Sequence, residues 1–203
     1  MLDEKKISSE SLVKFYYQRS KTVGRKLEAV TESNIETALI MAIEADREIA
    51  EGCDRTKRPI LGVPFSVKES IAMKGFDSTQ GYPSRIGKPE DKNAYIVDAL
   101  IEAGGIPFMR TNVPQGLMTF ESVNEIFGNS KNPHQTTRTS GGSSGGEASL
   151  IASGCSPFGM GSDIGGSVRI PSLFSGLFGF KHTTGRLSFN GHPPITPIDE
   201  NKE

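Results

Sequence analysis

Apolar residues in the first quarter of the chain recur at helical spacing. Leu12, Val13, Phe15 and Tyr16 follow the capping candidates Ser8-Ser9-Glu10, which predicts a first helix. A second helix is expected to open at Thr31 or Ser33, with Ile35, Leu39, Ile40, Ile43 and Ile49 on one face. Ala38, Ala42 and Ala45 favour helix there, and Gly52 is placed to stop it. Residues 8–52 therefore read as an amphipathic helical packing layer. From Pro59 the pattern changes. The apolar run from Ile60 to Val67 reads as a buried strand, and residues 93–103 as a helix carrying Ile96, Val97, Leu100 and Ile101. Gly104-Gly105 ends that helix, and Ile106 to Met109 reads as the next strand. Strand, helix, strand in this order predicts an α/β region over 59–191, with a parallel sheet and helices on its faces. Residues 192–203, with Pro193-Pro194, Pro197 and a charged end, read as an irregular tail.

Composition narrows the function classes. The chain has 203 residues, the size of one ordinary domain or of part of a larger one. A net charge of −1 gives no electrostatic reason to expect a nucleic-acid partner. No apolar run reaches the roughly 18 residues of a membrane span, and the N-terminus lacks a signal-peptide pattern, so the expected location is cytoplasmic. Two cysteines, Cys53 and Cys155, make no disulfide framework, and no Cys or His pair has zinc spacing; no metal or cofactor is expected.

The candidate chemistry lies in glycine–serine segments. Residues 139–149 read Thr-Ser-Gly-Gly-Ser-Ser-Gly-Gly-Glu-Ala-Ser, and residues 161–170 read Gly-Ser-Asp-Ile-Gly-Gly-Ser-Val-Arg-Ile. A flexible linker fits poorly, because ordered-looking apolar sequence follows both. A phosphate-binding loop would need a Gly-Lys-Ser/Thr ending, which is absent. Packing glycines without chemistry and an acyl-transfer site both remain open on these residues alone. In the second reading, the amides of Ile164, Gly165, Gly166 and Ser167 face one developing oxyanion, and a serine is activated by a base. His134, His182 and His192 lie in loop-like sequence, whereas Lys68 ends an apolar strand, where burial would lower its pKa.

Three blocks, in order, resemble the amidase signature family of serine hydrolases: Gly62 to Glu69, Gly141 to Glu147, and Gly161 to Pro171. The resemblance runs from about Ser8 to about Gly191. It implies a central mixed sheet with helices on both faces. It also implies a catalytic triad of Lys68 as base, Ser143 as bridging serine after a non-proline cis peptide, and Ser167 as nucleophile 24 residues further on. Ile164, Gly165 and Gly166 match the family's oxyanion loop, Asp163 and Arg169 its loop-organising positions, and Leu117 a position near bound substrate. Lys74 to Thr79, Thr111 to Gln115 and Gly185 to Ser188 are similar to the fatty-acid amide hydrolase branch. That branch implies a small-molecule lipid amide substrate, with peripheral association on endomembranes or a homodimer in the full-length form. A small-amide amidase, the glutamine-hydrolysing subunit of tRNA-dependent amidotransferases, and a noncatalytic binding product are the alternatives. A complete domain of this family is more than twice as long, so the chain is expected to carry only the first half of the fold.

Overall fold

The computed structural model describes residues 1–192. In chain order the elements are α1 (Ser9–Arg19), β1 (Val30–Ser33), α2 (Ile35–Glu51), β2 (Pro64–Lys68), α3 (Tyr95–Glu102), β3 (Ile106–Thr111), β4 (Val123–Asn124), β5 (Gly128–Asn129), α4 (Gly145–Ala152), β6 (Gly159–Met160) and α5 (Arg169–Ser175). The tail expected over 192–203 lies, His192 apart, outside the described residues.

Ser8 caps α1 as its sequence suggests, its hydroxyl accepting from Ser11 N at 3.1 Å. Asp46 of α2 caps the same end, its two carboxylate oxygens accepting from Ser9 N and Glu10 N. Gly52 ends α2 in the left-handed region at φ 95°. Two expectations for this layer fail. Thr31 and Ser33 do not open a helix; they belong to β1, which pairs antiparallel with β3. Asn34 is tied to β3 through Phe108 O and Pro107 O, so the helix begins only at Ile35. The second, the expected apolar face of α2, fails in part, because Ile35, Leu39 and Ile49 of that face do pack against the core. Ala38, Ala42 and Ala45 are buried, whereas Ile40 is 60% and Ile43 55% exposed. The alanines recur at i, i+4 and i+7, and their small side chains let the helix approach Val13 of α1 and the sheet closely.

The sheet order is β1-β3-β2-β6. β2 runs parallel to both β3 and β6, and β1 is antiparallel, so the sheet is mixed. α3 makes the crossover from β2 to β3, as the apolar pattern predicts. The strand expected from Ile60 starts at Pro64 instead, because residues 60–63 turn against the end of α3 through Ile60 N to Ala103 O and Gly62 N to Gly104 O. Gly104 has φ 96°, and a Cβ there would lie 2.5 Å from Leu61 Cα.

β2 and β3 are buried throughout. Strand alternation gives the two faces of β2 different tasks. Phe65 and Val67 join Ile71, Ala94 and Val97 in one apolar cluster. Val13, Ala38, Ala42, Phe108 and Leu150 form the cluster on the opposite face. Burying a side chain of the size of Phe65 or Phe108 contributes about 1.5–3 kcal/mol. Ser66 and Lys68 alternate with that apolar pair and leave the α3 cluster for the polar segments around α4. Among the described residues β6 pairs only with β2. Beyond it, Leu173, Phe178 and Phe180 are 78% exposed or more. No helix among the described residues is long and apolar enough to cross a membrane.

Candidate active site

Lys68 ends β2 with its side chain fully buried. Its Nζ lies 2.7 Å from Ser143 Oγ and 3.0 Å from Ser162 Oγ. Burial lowers its pKa to about 7, against the opposing pull of the negative charges on Glu147, Asp163 and Glu69. The chain just beyond it is held firmly. Buried Arg110 donates to the carbonyls of Glu69, Ile71 and Asp77, and the Glu69 carboxylate accepts from Thr79 and Gln80. The amine is therefore presented by a fixed strand end.

Ser143 follows a cis peptide bond from Gly142 and is 2% exposed. A Cβ on Gly142 would lie 2.7 Å from Thr119 O and 2.9 Å from Glu121 N, so only glycine fits between this loop and residues 119–121. Ser122 Oγ donates to Gly141 O at 3.1 Å and accepts from Gly145 N at 2.9 Å, clamping both sides of Ser143. Gly146 presses equally close to Asn112 at the end of β3. The consecutive glycines thus serve close packing on every side of the serine.

Asp163 organises the second loop. Its carboxylate accepts from the amides of Gly166 (2.7 Å), Val168 (3.0 Å) and Arg169 (3.2 Å), and from the Arg169 guanidinium at 3.0 and 2.9 Å. These bonds, the Arg169 pair foremost, hold its pKa well below the usual carboxylate range. The Gly166 amide is therefore committed to Asp163, which corrects the expectation of four consecutive free donors. The amides of Ile164, Gly165 and Ser167 have no acceptor among the described residues. Ser144 N donates to Ser167 O at 3.1 Å and ties the two serine loops together. Ser167 is part-exposed, and its hydroxyl makes no hydrogen bond among the described residues. The structure thus brings Lys68 and Ser143 into direct contact and sets Ser167 on the adjoining loop, without a hydrogen bond from its hydroxyl to Ser143.

Leu117 is half-buried with φ 61°, two residues before the Thr119 carbonyl that lies against Gly142. Its neighbours Met118 and Phe120 are 73% and 61% exposed, so they do not pack in the core. A cavity of about 760 Å³ opens beside the second loop, lined by Phe158, Met160, Ser162, Ile164, Phe178 and His192 among others. Lys68, Ser143 and Ser167 are not among its lining residues. His192 is largely buried, and its pKa falls to about 4 through burial and then the nearby Lys68 charge, so it is neutral at pH 7.

Sequence reasoning missed Ser162 and Glu147. Ser162 is one of two hydroxyls on the amine, and nothing in the local pattern separates it from a glycine-loop filler. Glu147 is buried inside the signature, with Oε2 2.6 Å from Ser66 Oγ and Oε1 2.7 Å from Thr111 Oγ1. Burial raises its pKa to about 7. The available signal was the placement of Ser66 two residues before Lys68 on one strand face.

The model of the family described as "Amidase" matches residues 11–202. Fatty-acid amide hydrolase 1 of Sus scrofa is 41% identical over 186 residues, which is 91% of this chain and 30% of that protein. A solved fatty acid amide hydrolase superposes with a TM-score of 0.88 at 33% identity, covering 95% of this chain and 34% of that one. The peptide amidase of Stenotrophomonas maltophilia superposes with a TM-score of 0.87 at 29% identity, covering 96% and 41%. The chain spans about a third of the length of the curated relatives it matches. With a family match over nearly its whole length and a shared fold at these identities, the chain belongs to the amidase family.

Proposed function

We propose that this chain carries the acyl-transfer centre of a serine-dependent amide hydrolase. Neutral Lys68 accepts a proton from Ser143, which takes one from Ser167, and Ser167 Oγ attacks the amide carbonyl. The amides of Ile164, Gly165 and Ser167 are the donors available to the oxyanion. When the C–N bond breaks, the same relay returns the proton to the leaving amine. Water then releases the acid from the Ser167 ester and restores the serine. The observation that carries this reading is the buried Lys68 amine 2.7 Å from the buried Ser143 hydroxyl, with the Ser167 loop bonded to the next residue. Intact-mass analysis with a fluorophosphonate tests it: one adduct forms, on Ser167, and Ser167→Ala abolishes it. An adduct on Ser143 or Ser144 with Ser167 untouched refutes the assignment.

The substrate class we favour is a long-chain fatty-acid amide. The fatty-acid amide hydrolases among the relatives support this choice, as do the exposed Met118 and Phe120 beside the Gly142 loop. Each methylene buried on binding would contribute about 0.8 kcal/mol. Specificity constants then rise from acetamide to oleamide, and a flat series favours a small-amide hydrolase instead.

A further inference from the structure

Glu147 takes no part in the chemistry above, yet its carboxyl is built into the same sheet face as the base. It stands three residues after Ser144 at the head of α4, the spacing at which a glutamate reaches back to cap its own helix. It does not do so. The side chain crosses to the sheet, where Ser66 Oγ donates to Oε2 and Thr111 Oγ1 to Oε1. Ser66 and Lys68 share one face of β2, and Thr111 is the β3 residue paired with Lys68. The third wall is Gly159 of β6, paired with Ser66, where a Cβ would lie 1.8 Å from Glu147 Oε2. Three parallel strands thus form a seat for this one carboxyl beside the amine, with no hydrogen bond between them.

The partners of the seat separate Glu147 from every other charged group around Lys68. Asp163 is held by amides and by Arg169, and Glu69 by the amides of Thr79 and Gln80 together with the Thr79 hydroxyl. Such N–H donors can only donate, so they suit a carboxylate oxygen as acceptor and offer nothing to a carboxylic acid proton. Arg110, the cation next along β3, is turned to Glu32 and the carbonyls after Lys68. His192 is neutral. Among the described residues Glu147 is met by two hydroxyls and no N–H donor, and a hydroxyl can donate to a carboxylate or accept from a carboxylic acid. Its cradle therefore accommodates both protonation states.

Taking Lys68 as the base, we propose that Glu147 is its electrostatic positioning partner, the carboxyl and the amine holding one proton between them. The pair is then ammonium with carboxylate, or amine with carboxylic acid, and its net charge is zero in both forms. Burial drives the two groups toward the same pH range from opposite directions, which is the condition for coupled titration. Glu147 thereby sets the pH at which Lys68 becomes a free amine.

NMR of the 203-residue chain labelled with [13Cε]lysine tests this, with the Lys68 signal assigned by its loss in Lys68→Met. Glu147→Gln removes the charge that holds the ammonium, and the Lys68 midpoint falls by about one pH unit. Ser66→Ala, which weakens the carboxylate form and keeps the side chain in place, lowers it by less in the same direction. A midpoint unmoved in a folded Glu147→Gln chain overturns the proposal; where that variant does not fold, an unmoved midpoint in Ser66→Ala does so. The measurement needs no substrate. A Lys68 signal that shifts as expected supports the pairing even in a chain whose fluorophosphonate adduct forms away from Ser167, a result that would overturn the hydrolase assignment alone.

Discussion

The two halves of the candidate site are built differently. On the Lys68–Ser143 side, both side chains are buried, Gly141, Gly142 and Gly146 are pressed by backbone and Gly145 by the Ser122 and Ser140 side chains, and Ser122, Arg110 and Glu69 fix the surrounding loops. On the Ser167 side, one carboxylate, Asp163, organises the loop, Ile164 is 71% exposed, and the serine hydroxyl is unbonded among the described residues. Close to it lie the exposed Leu173, Phe178 and Phe180 and the edge of β6, which is unpaired among the described residues. This contrast suits a base that needs a dry, closed setting to lose its proton and a nucleophile that needs an open side for its substrate. It also shows that the described residues complete the first setting and leave the second uncovered. Turnover by the 203-residue chain is therefore expected to be far below that of the longer relatives, because an uncovered loop holds its reacting atoms less tightly. A hydrolysis assay showing rates equal to those relatives would break the comparison.

Lys68→Met sharpens it from the closed side. Removing the proposed base should cost about a hundredfold or more in acylation rate. The same change should stabilise the fold. Lys68 titrates at about 7 when folded and at 10.5 when exposed, so below pH 7 the folded chain bears the full cost of a buried ammonium. Between 7 and 10.5 the unfolded chain binds the extra proton, and stability rises with pH. Lys68→Met lacks that slope, so its gain in Tm is larger at pH 6 than at pH 9. Thermal unfolding at the two pH values checks the sign.

Asp163→Asn probes the open side with a smaller effect. The substitution weakens charge-assisted bonds to three backbone amides, each worth about 1.5–3 kcal/mol. Amide exchange at Gly166 and Val168 should quicken by about tenfold or more, while the amides flanking Ser143 keep their protection. Equal acceleration in both loops would mean that the halves are one cooperative unit.

The legibility of the sequence follows the same division between local and distant causes. The β2–α3–β3 crossover was readable because apolar runs and Gly104-Gly105 are local signals. β1 was not, because Val-Thr-Glu-Ser carries little apolar pattern and is a strand only through pairing with β3. The face of α2 was readable only in part: Ile35, Leu39 and Ile49 pack as expected, but closeness to α1 favours the small alanines at its centre and leaves Ile40 and Ile43 outside. At the site, the family blocks pointed to Lys68, Ser143 and Ser167. Sequence could not tell that Gly166's amide is taken by Asp163, that Ser162 meets the amine, or that Glu147 leaves its helix for the sheet. Each of those depends on segments far apart in the chain or on where a side chain turns.

In the proposed chemistry a neutral, buried Lys68 activates Ser167 through Ser143. The most direct test is the rate of fluorophosphonate labelling at Ser167 against pH, which asks less of the open half than amide turnover does. The expected rate rises with pH through a midpoint near 7, and a Lys68→Met chain lacks that rise. A profile unchanged by Lys68→Met, or flat between pH 5 and 9, would contradict it.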